Sequence, residues 1–257
     1  MLHSVGKVAA LISAVKNPLP AIFDRLGLLQ SSYVLNLRSG TSIELRPKCG
    51  DLFGFYEIML RHDYLSSGQT IAPGSTVIDV GANIGCFTMV AAKLVGPTGR
   101  VFALEPEEST FKQLEKNIEL NHFKNVTALK IAMGANDGET FLNADPNHLF
   151  SSMYSSVNGH TFEGQRQRVE ITTFDSLMTK FGIAHCDYLK LDCEGAEHDI
   201  FGSMSLATAK RIGQITMEVH KIPDHSNETL EKSITALNYR RIGDSTLPFY
   251  VRAPEAA

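Results

Sequence analysis

A glycine-rich turn, VIDVGANIG at residues 77–85, has the composition of a cofactor-binding loop. An apolar run ends in Asp79, and Gly81 and Gly85 follow before a helix-like stretch. Glycine lets the backbone turn tightly and approach a ligand, and the first turn of a helix offers unpaired N–H groups. The alternative is an ordinary strand-to-helix turn, in which Asp beside glycine is common. We expect Asp79, Gly81, Asn83 and Gly85 to form a cofactor site.

Two details of this region indicate the kind of cofactor. A dinucleotide site reads G-x-G-x-x-G, but Asn83 stands where the second glycine would be, so close approach of a pyrophosphate is disfavoured. A cofactor without a diphosphate, S-adenosylmethionine, fits better. Glu105 ends the next apolar run, 24 residues after Gly81, and is suited to accept hydrogen bonds from both ribose hydroxyls of either cofactor type. The alternative for Glu105 is a solvated acid at a strand end, before Pro106.

The segment KLDCEGAE, residues 190–197, carries four charged side chains. In an extended strand, Lys190, Asp192 and Glu194 would lie on one side. That side would end at the carboxyl edge of a parallel sheet, where ligands of open α/β sheets bind. The alternative is a structural network in which Lys190 pairs with Glu194 or Glu197, because buried charges need partners.

His220, the last residue of the apolar run ITMEVH, is the candidate general base. An imidazole with a pKa of about 6.5 can take a proton from a hydroxyl group whose oxygen attacks a methyl group. Asp192 would orient His220, contact the cofactor or act as the base itself, and Lys190 completes the predicted catalytic set. The alternative for His220 is a capping or packed histidine without a catalytic role.

These motifs resemble those of the FkbM family of S-adenosylmethionine-dependent methyltransferases, over roughly residues 50 to 220. The matching stretches, of which KLDCEGAE is the most distinguishing part, are VIDVGANIG, VFALEPEESTFKQLEKNIELN, IAMGANDGE, DYLKLDCEGAEHDIFGS and ITMEVH. The resemblance implies a class I methyltransferase fold, mostly oxygen methylation, and acceptors such as sugars, glycans or polyketide-type metabolites. Pro106, Ala132 in the IAMGANDGE stretch, and Glu57, which would reach the cofactor's amino group, complete the predicted cofactor site.

A metal ion is a further alternative at the same edge of the sheet. Asp192, Glu218 and His220 offer oxygen and imidazole ligands at neighbouring strand ends, where some oxygen methyltransferases hold Mg²⁺. Glu218 and His220 are two residues apart on one strand and would point the same way, and only one carboxylate clearly joins them. We therefore expect no required metal, with these three residues as the ligands if Mg²⁺ binds.

The elements that must position these residues are strands and helices that alternate along the chain after Pro73 and Gly74. Five apolar runs predict strands: TVIDV, RVFALE, VTALKIAM, CDYLKLDCE and IGQITMEVH. Helices are predicted over residues 84–94, 107–122, 196–204 and 226–237. YRRIG and PFYVRA are a few residues apart and predict an antiparallel hairpin at the sheet edge. The predicted fold class is α/β, a Rossmann-like doubly wound sheet with a reversed last strand.

Residues 1–70 are expected to form an extension packed on a cofactor-binding domain of residues 71–257. Its patterns predict an amphipathic helix around VAALISAV, a hairpin over 33–37 and 42–46, and a helix-like run over 52–64. The larger domain carries a stretch rich in Asn, Ser and Gly. We expect its loop at about 144–168 to help to close over the acceptor.

Composition limits the partners and the compartment. The 257 residues suffice for one large domain, and a net charge of −4 without a long basic run argues against a nucleic-acid partner. Four cysteines form no CxxC pair, so we expect reduced thiols and a cytoplasmic protein. VAALISAV is far shorter than the roughly 20 residues that span a membrane, so no integral membrane segment is expected. Peripheral membrane binding by this helix, or an N-terminal dimer contact, is the alternative.

The function expected from the sequence is S-adenosylmethionine-dependent O-methyl transfer to a hydroxyl group of a small molecule, a sugar or glycan, or a polyketide-type metabolite. An NAD(P)-dependent oxidoreductase is the first alternative, since it shares the glycine turn and Glu105, although Asp79 and Asn83 count against it. A non-catalytic binding module with a methyltransferase fold is the second. Acceptor specificity lies in loops that one sequence does not decode.

Overall fold

The computed structural model describes residues 2–66, 68–144, 151–162 and 166–254. Their strands are, in chain order, β1 (Tyr33–Asn36), β2 (Ser42–Leu45), β3 (Thr76–Val80), β4 (Arg100–Leu104), β5 (Val126–Leu129), β6 (Ala132–Met133), β7 (Gly138–Ala144), β8 (Ser151–Ser152), β9 (Ser156–Val157), β10 (His160–Thr161), β11 (Arg166–Thr172), β12 (Cys186–Leu191), β13 (Ile212–Met217), β14 (Tyr239–Ile242) and β15 (Phe249–Arg252). The α-helices are α1 (Leu2–Ala14), α2 (Leu19–Arg25), α3 (Asp51–Gly54), α4 (Cys86–Val95), α5 (Glu108–Leu120), α6 (Phe174–Lys180), α7 (Ala196–Ser203), α8 (Leu206–Ala209) and α9 (Asn227–Ala236).

The main sheet has seven strands in the order β14-β15-β13-β12-β3-β4-β5. Its strand pairs are parallel except those of β15, which runs antiparallel to both neighbours. The strand order reverses between β3 and β12, which opens a crevice at their carboxyl ends. The predicted doubly wound α/β sheet with a reversed last strand is confirmed, and β14 rather than β15 forms its edge.

Apolar side chains of the central strands form the core of this sheet. The largest cluster surrounds β12 and β13, where Leu189, Leu191, Ile215 and Met217 are buried, and α7 and α9 pack together beside it. The near-continuous apolar runs of these strands are typical of parallel strands covered on both faces.

The third predicted strand and the predicted insertion differ from the sequence analysis. VTALKIAM breaks after Leu129, and β6 leaves the main sheet to pair with β11. β6, β11, β7 and β8 form a second sheet, and α6 follows it without having been predicted. Thus, of the expected loop at about 144–168, much of the described part is strand. Residues 145–150 and 163–165 of this loop lie outside the described residues.

The N-terminal elements pack against α4 and α5. The hairpin of β1 and β2 and the helical run after it, which continues from α3 as a π-helix over Phe55–Leu60, share an apolar cluster with Ile84 and Met89. Asn117 Oδ1 accepts a hydrogen bond from the Glu44 backbone N–H at 2.7 Å, which ties α5 to β2. None of the described helices has the length and apolar character needed to cross a bilayer.

Candidate active site

The loop after β3 brings its backbone against the turn after β12. Gly81 has φ of 73°, and a Cβ built on it would lie 1.7 Å from the carbonyl oxygen of Asp192. The N–H groups of Gly81 and Ala82 donate to the Leu104 carbonyl oxygen at 3.0 and 2.9 Å. Asn83 also has a positive φ of 51°, a conformation that asparagine tolerates better than most residues. Only glycine fits at position 81, because the two turns approach each other so closely there.

A buried ion pair between the neighbouring strands β12 and β3 holds this loop in place. Lys190 on β12 stands beside Asp79 on β3 in the parallel register, and its Nζ lies 3.1 Å from Asp79 Oδ1. Lys190 Nζ also donates to the Gly81 carbonyl oxygen at 2.7 Å, and Thr88 donates to Asp79 Oδ2 at 2.6 Å. Burial alone would lower the pKa of Lys190, but the charges of Asp79 and Asp192 outweigh it and raise the pKa. Lys190 therefore stays charged and fixes the loop.

Lys190 belongs to a buried ion-pair network, as the structural alternative predicted, but its partners differ from the predicted ones. Among the described residues, its ion pairs are with Asp79 and with Asp192, at 3.7 Å, rather than with Glu194 or Glu197. The carbonyl and carboxylate oxygens around Nζ satisfy the buried charge, as such groups must.

Glu105, at the end of β4, is buried beside the glycine loop. Its Oε2 accepts a hydrogen bond from the Asn83 N–H, and its Oε1 accepts one from the Glu107 N–H, both at 2.9 Å. Burial raises the pKa of Glu105 to about 7, although both backbone hydrogen bonds act to lower it. Each carboxylate oxygen has a second lone pair, so Glu105 can still accept from a ligand hydroxyl.

The acid turn after β12 departs from strand geometry. β12 ends at Leu191, so the predicted alternation over Lys190, Asp192 and Glu194 stops before Asp192. Glu194 adopts φ of 51°, a sparsely populated conformation that is often found at functional sites. Tyr64 Oη donates to Asp192 Oδ2 at 2.9 Å, which ties this turn to the N-terminal elements. Burial raises the pKa of Glu194 to about 7, and the charge of His220 opposes that shift.

His220 lies behind this turn and is almost fully buried. Its Nδ1 is 3.2 Å from Glu197 Oε1, which also accepts the His220 backbone N–H at 2.6 Å. Its Nε2 is 3.4 Å from Glu194 Oε2 and 3.8 Å from the nearest oxygens of both Asp192 and Glu218. Burial would lower the pKa of His220, but the Glu197 hydrogen bond and the neighbouring carboxylates raise it to about 9.

The predicted alternative metal ligands lie together. Asp192, Glu218 and His220 place one potential ligand atom each within 4.8 Å of one another. Oxygen and imidazole donors suit a divalent cation, which would polarise an acceptor oxygen if it bound. A proton on His220 Nε2 and a cation would compete for this place.

A cleft in two parts runs along the carboxyl edge of the sheet. The narrower part, of about 90 Å³, is lined by Glu105, Pro106 and Ala132, and the wider part, of about 740 Å³, by Glu57, Lys190 and Glu218. Four residues line both parts, namely Gly81, Asn83, Asp192 and Glu194. The larger volume is typical of a small-molecule site.

Three predicted site residues stand outside the walls of this cleft. Asp79 and Gly85 lie behind the glycine loop, where Gly85 packs against Leu114, and His220 lies behind Glu194. Tyr64 was missed because it lies in the N-terminal elements, 128 positions before Asp192. Thr88 was missed as well, although its place nine residues after Asp79 in the following helix is a local signal.

The doubly wound sheet of this order, with a glycine loop after β3 and a buried acid after β4, is a Rossmann-like cofactor-binding architecture. The chain belongs to the FkbM methyltransferase family, because the methyltransferase FkbM domain matches residues 79–241. The predicted family is thus confirmed, and the family decides against an NAD(P)-dependent oxidoreductase.

Several curated proteins are similar to this chain. The chain is 27% identical over 196 residues to the 31-O-demethyl-FK506 methyltransferase FkbM of Streptomyces tacrolimicus, covering 66% of the chain and 75% of that protein. It is 25% identical over 199 residues to the AMB antimetabolite synthetase AmbE of Pseudomonas aeruginosa, covering 65% of the chain and only 9% of AmbE. A solved methyltransferase FkbM from Methylobacillus flagellatus has a TM-score of 0.48 and 13% identity, covering 80% of the chain and 55% of that protein.

Proposed function

We propose that the chain transfers a methyl group from S-adenosylmethionine to a hydroxyl oxygen of a small molecule, a sugar or glycan, or a polyketide-type metabolite. The observation that carries this proposal is the junction of the two parts of the cleft at Gly81, Asn83, Asp192 and Glu194. A cofactor in the narrower part would present its reactive end at this junction, next to carboxylates that also face the wider part. The activity named for the relative in Streptomyces tacrolimicus supports oxygen as the methylated atom.

The cofactor roles follow from the linings. Glu105 would accept hydrogen bonds from the ribose hydroxyls, and Pro106 and Ala132 would face the adenine. Glu57, in the wider part, would bind the cofactor's amino group. Asp79 and Gly85 would not contact the cofactor, but would fix the conformation of the glycine loop that binds it. Met133 and Met153 also line the narrower part, and their flexible side chains would move to admit an adenine.

The transfer releases one proton. When bound, S-adenosylmethionine would supply an electrophilic methyl group to the acceptor oxygen, and the electron pair of its S–C bond would remain on sulfur. We assign the proton of the acceptor hydroxyl to Glu194, which lines both parts of the cleft with its side chain 23% exposed. Asp192 already accepts from Tyr64 and faces Lys190. His220, fixed by Glu197, would hold Glu194 in place.

The test is a transfer assay with methyl-tritiated S-adenosylmethionine and a panel of sugars, polyketide-type alcohols and RNA. We expect an alkali-stable methyl ether on a non-nucleic-acid acceptor. Glu194→Gln should lower kcat by roughly 10²-fold or more, as expected for loss of a general base, and the exposed Glu119→Gln on α5 should not. An N-methylated or RNA product would contradict the proposed acceptor class. A larger loss in His220→Asn or Asp192→Asn than in Glu194→Gln would return the base to the residue predicted from sequence.

A non-catalytic binding module remains the second candidate. It would bind S-adenosylhomocysteine through the same loop and give no methylated product with any acceptor. The position of Glu194 favours the enzyme, because its carboxyl group lines both parts of the cleft, where it would meet an acceptor next to the cofactor.

A further inference from the structure

An exposed apolar surface lies on α2 and the residues after it. Leu19, Phe23 and Leu26 follow the i, i+4, i+7 spacing of one helical face, and all three are exposed, as is Leu28. We call these four residues the N-terminal apolar surface. α2 packs through its other side, where Ala21 is buried. Of the ten large apolar side chains that are well exposed in the described part of the chain, six lie between residues 12 and 53.

The N-terminal segment that carries this surface differs in charge from the rest of the chain. The first 50 residues carry six basic and two acidic side chains, whereas the other 207 carry 18 basic and 26 acidic ones. Lys16, shortly before α2, and Arg25, its last residue, are exposed, and Lys48 Nζ donates to Gln30 Oε1 at 3.2 Å, just beyond Leu28. Asp24, the acid within α2, accepts a hydrogen bond from Tyr33 Oη at 2.7 Å. The surface is therefore apolar with a basic rim on an acidic protein.

We propose that the N-terminal apolar surface binds the surface of an anionic lipid bilayer. Apolar side chains surrounded by Lys and Arg are suited to this place, because the chains enter the headgroup boundary while the cations meet anionic lipids. A second copy of the chain fits the surface less well. A twofold contact would place the same basic rim of each copy against the other, and like charges would repel.

The position of this surface connects it with the cleft. α2 packs against α3, and Phe53 on α3 is exposed while it also lines the wider part of the cleft. Docking through α2 would bring this side of the cleft towards the bilayer. The binding itself does not depend on the proposed methyl transfer.

The test is co-sedimentation of the full chain with vesicles. We expect the protein to sediment with vesicles of phosphatidylcholine and phosphatidylglycerol in equal amounts, and much less with phosphatidylcholine alone or at high salt. Leu19→Ser, Phe23→Ser and Leu26→Ser combined should weaken binding at least about tenfold, since each removes apolar surface that enters the bilayer. Leu206→Ser is the matched control, because Leu206 is 58% exposed against 61% for Leu19 but lies on α8.

A second pair of variants tests the basic rim. Lys16→Glu with Arg25→Glu should remove the preference for anionic vesicles, whereas Lys232→Glu, an exposed lysine on α9, should leave it unchanged. Thermal unfolding by circular dichroism checks that all variants are folded. Equal sedimentation of wild type with both vesicle types, or unchanged binding of the triple serine variant, would overturn the proposal. A dimer in light scattering that the triple serine variant converts to a monomer would assign the surface to a second copy instead.

Discussion

Gly81 lies so close to Asp192 that a Cβ on the glycine would stand 1.7 Å from the aspartate's carbonyl oxygen. The loop after β3 and the turn after β12 are thereby fixed against each other, and the two parts of the cleft meet at this contact. The Lys190 ammonium group closes the arrangement, since it donates to the Gly81 carbonyl oxygen and lies near the Asp192 carboxylate.

Gly81→Ala should disrupt both stability and cofactor binding. The added methyl group meets rigid backbone, and the φ of 73° is strained for alanine, so the loop must move. We expect a clearly lower Tm and loss of S-adenosylhomocysteine binding by calorimetry. Gly202→Ala is the control, because Gly202 is exposed on α7 with open space around it, and alanine there should keep or raise the Tm. Normal cofactor affinity in Gly81→Ala would contradict the role of this contact.

Cofactor affinity should depend on pH through Glu105. Its pKa is raised to about 7, so the carboxyl group is largely protonated at pH 6 and ionised at pH 8. The ionised form accepts stronger hydrogen bonds from ribose hydroxyls. Affinity for S-adenosylhomocysteine, measured by calorimetry, should therefore rise from pH 6 to pH 8 in the wild type. In Glu105→Gln the affinity should be lower and this rise should disappear, whereas Glu119→Gln on α5 should follow the wild type.

The carboxyl group of Glu105 should also make the stability of the folded protein depend on pH. Because the pKa of Glu105 in the folded protein lies above its usual 4.5, its contribution to stability is complete below pH 4.5 and is lost as pH rises through about 7. Chemical denaturation gives the free energy of unfolding at pH 5 and at pH 8. The decrease in this free energy from pH 5 to pH 8 should be smaller in Glu105→Gln than in the wild type. An equal loss in both proteins would mean that Glu105 does not change its charge in this interval.

Removing one partner of the Lys190–Asp79 ion pair should lower the stability of the protein strongly. Lys190→Met leaves the Asp79 carboxylate buried without its cation, and such a loss typically costs about 3–5 kcal/mol. Urea unfolding should show this decrease, and Lys190→Met combined with Asp79→Asn should recover part of it. A double variant whose loss of stability equals or exceeds the sum of the two single losses would rule out the pair as a stabilising unit.

Local patterns predicted the residues of the glycine loop that line the cleft better than the contacts of the acid turn. Gly81, Asn83 and Glu105 stand out within one strand-helix-strand unit, and the structure places them on one cleft. Lys190 and Asp79 are partners because they are adjacent in the parallel register of β12 and β3, which follows only from the strand order. Tyr64 joins Asp192 from a different part of the chain, where no periodicity indicates a contact.

The departures from prediction have similar causes. VTALKIAM is apolar throughout, so its pattern does not reveal that the chain leaves the main sheet after Leu129 to pair with β11. The predicted alternation over the acid turn stops because Gly81 occupies the space beside Asp192 and because Glu194 adopts a positive φ. Tertiary contacts, rather than local propensity, decide both places.

Calorimetric titration of the purified protein with S-adenosylhomocysteine, with NADH in parallel and before and after EDTA treatment, examines the cofactor assignment without knowledge of the acceptor. We predict saturable binding of S-adenosylhomocysteine at one site, unchanged by EDTA, and no binding of NADH. Binding of NADH alone, or no binding of S-adenosylhomocysteine, would contradict the assignment of the cleft to S-adenosylmethionine.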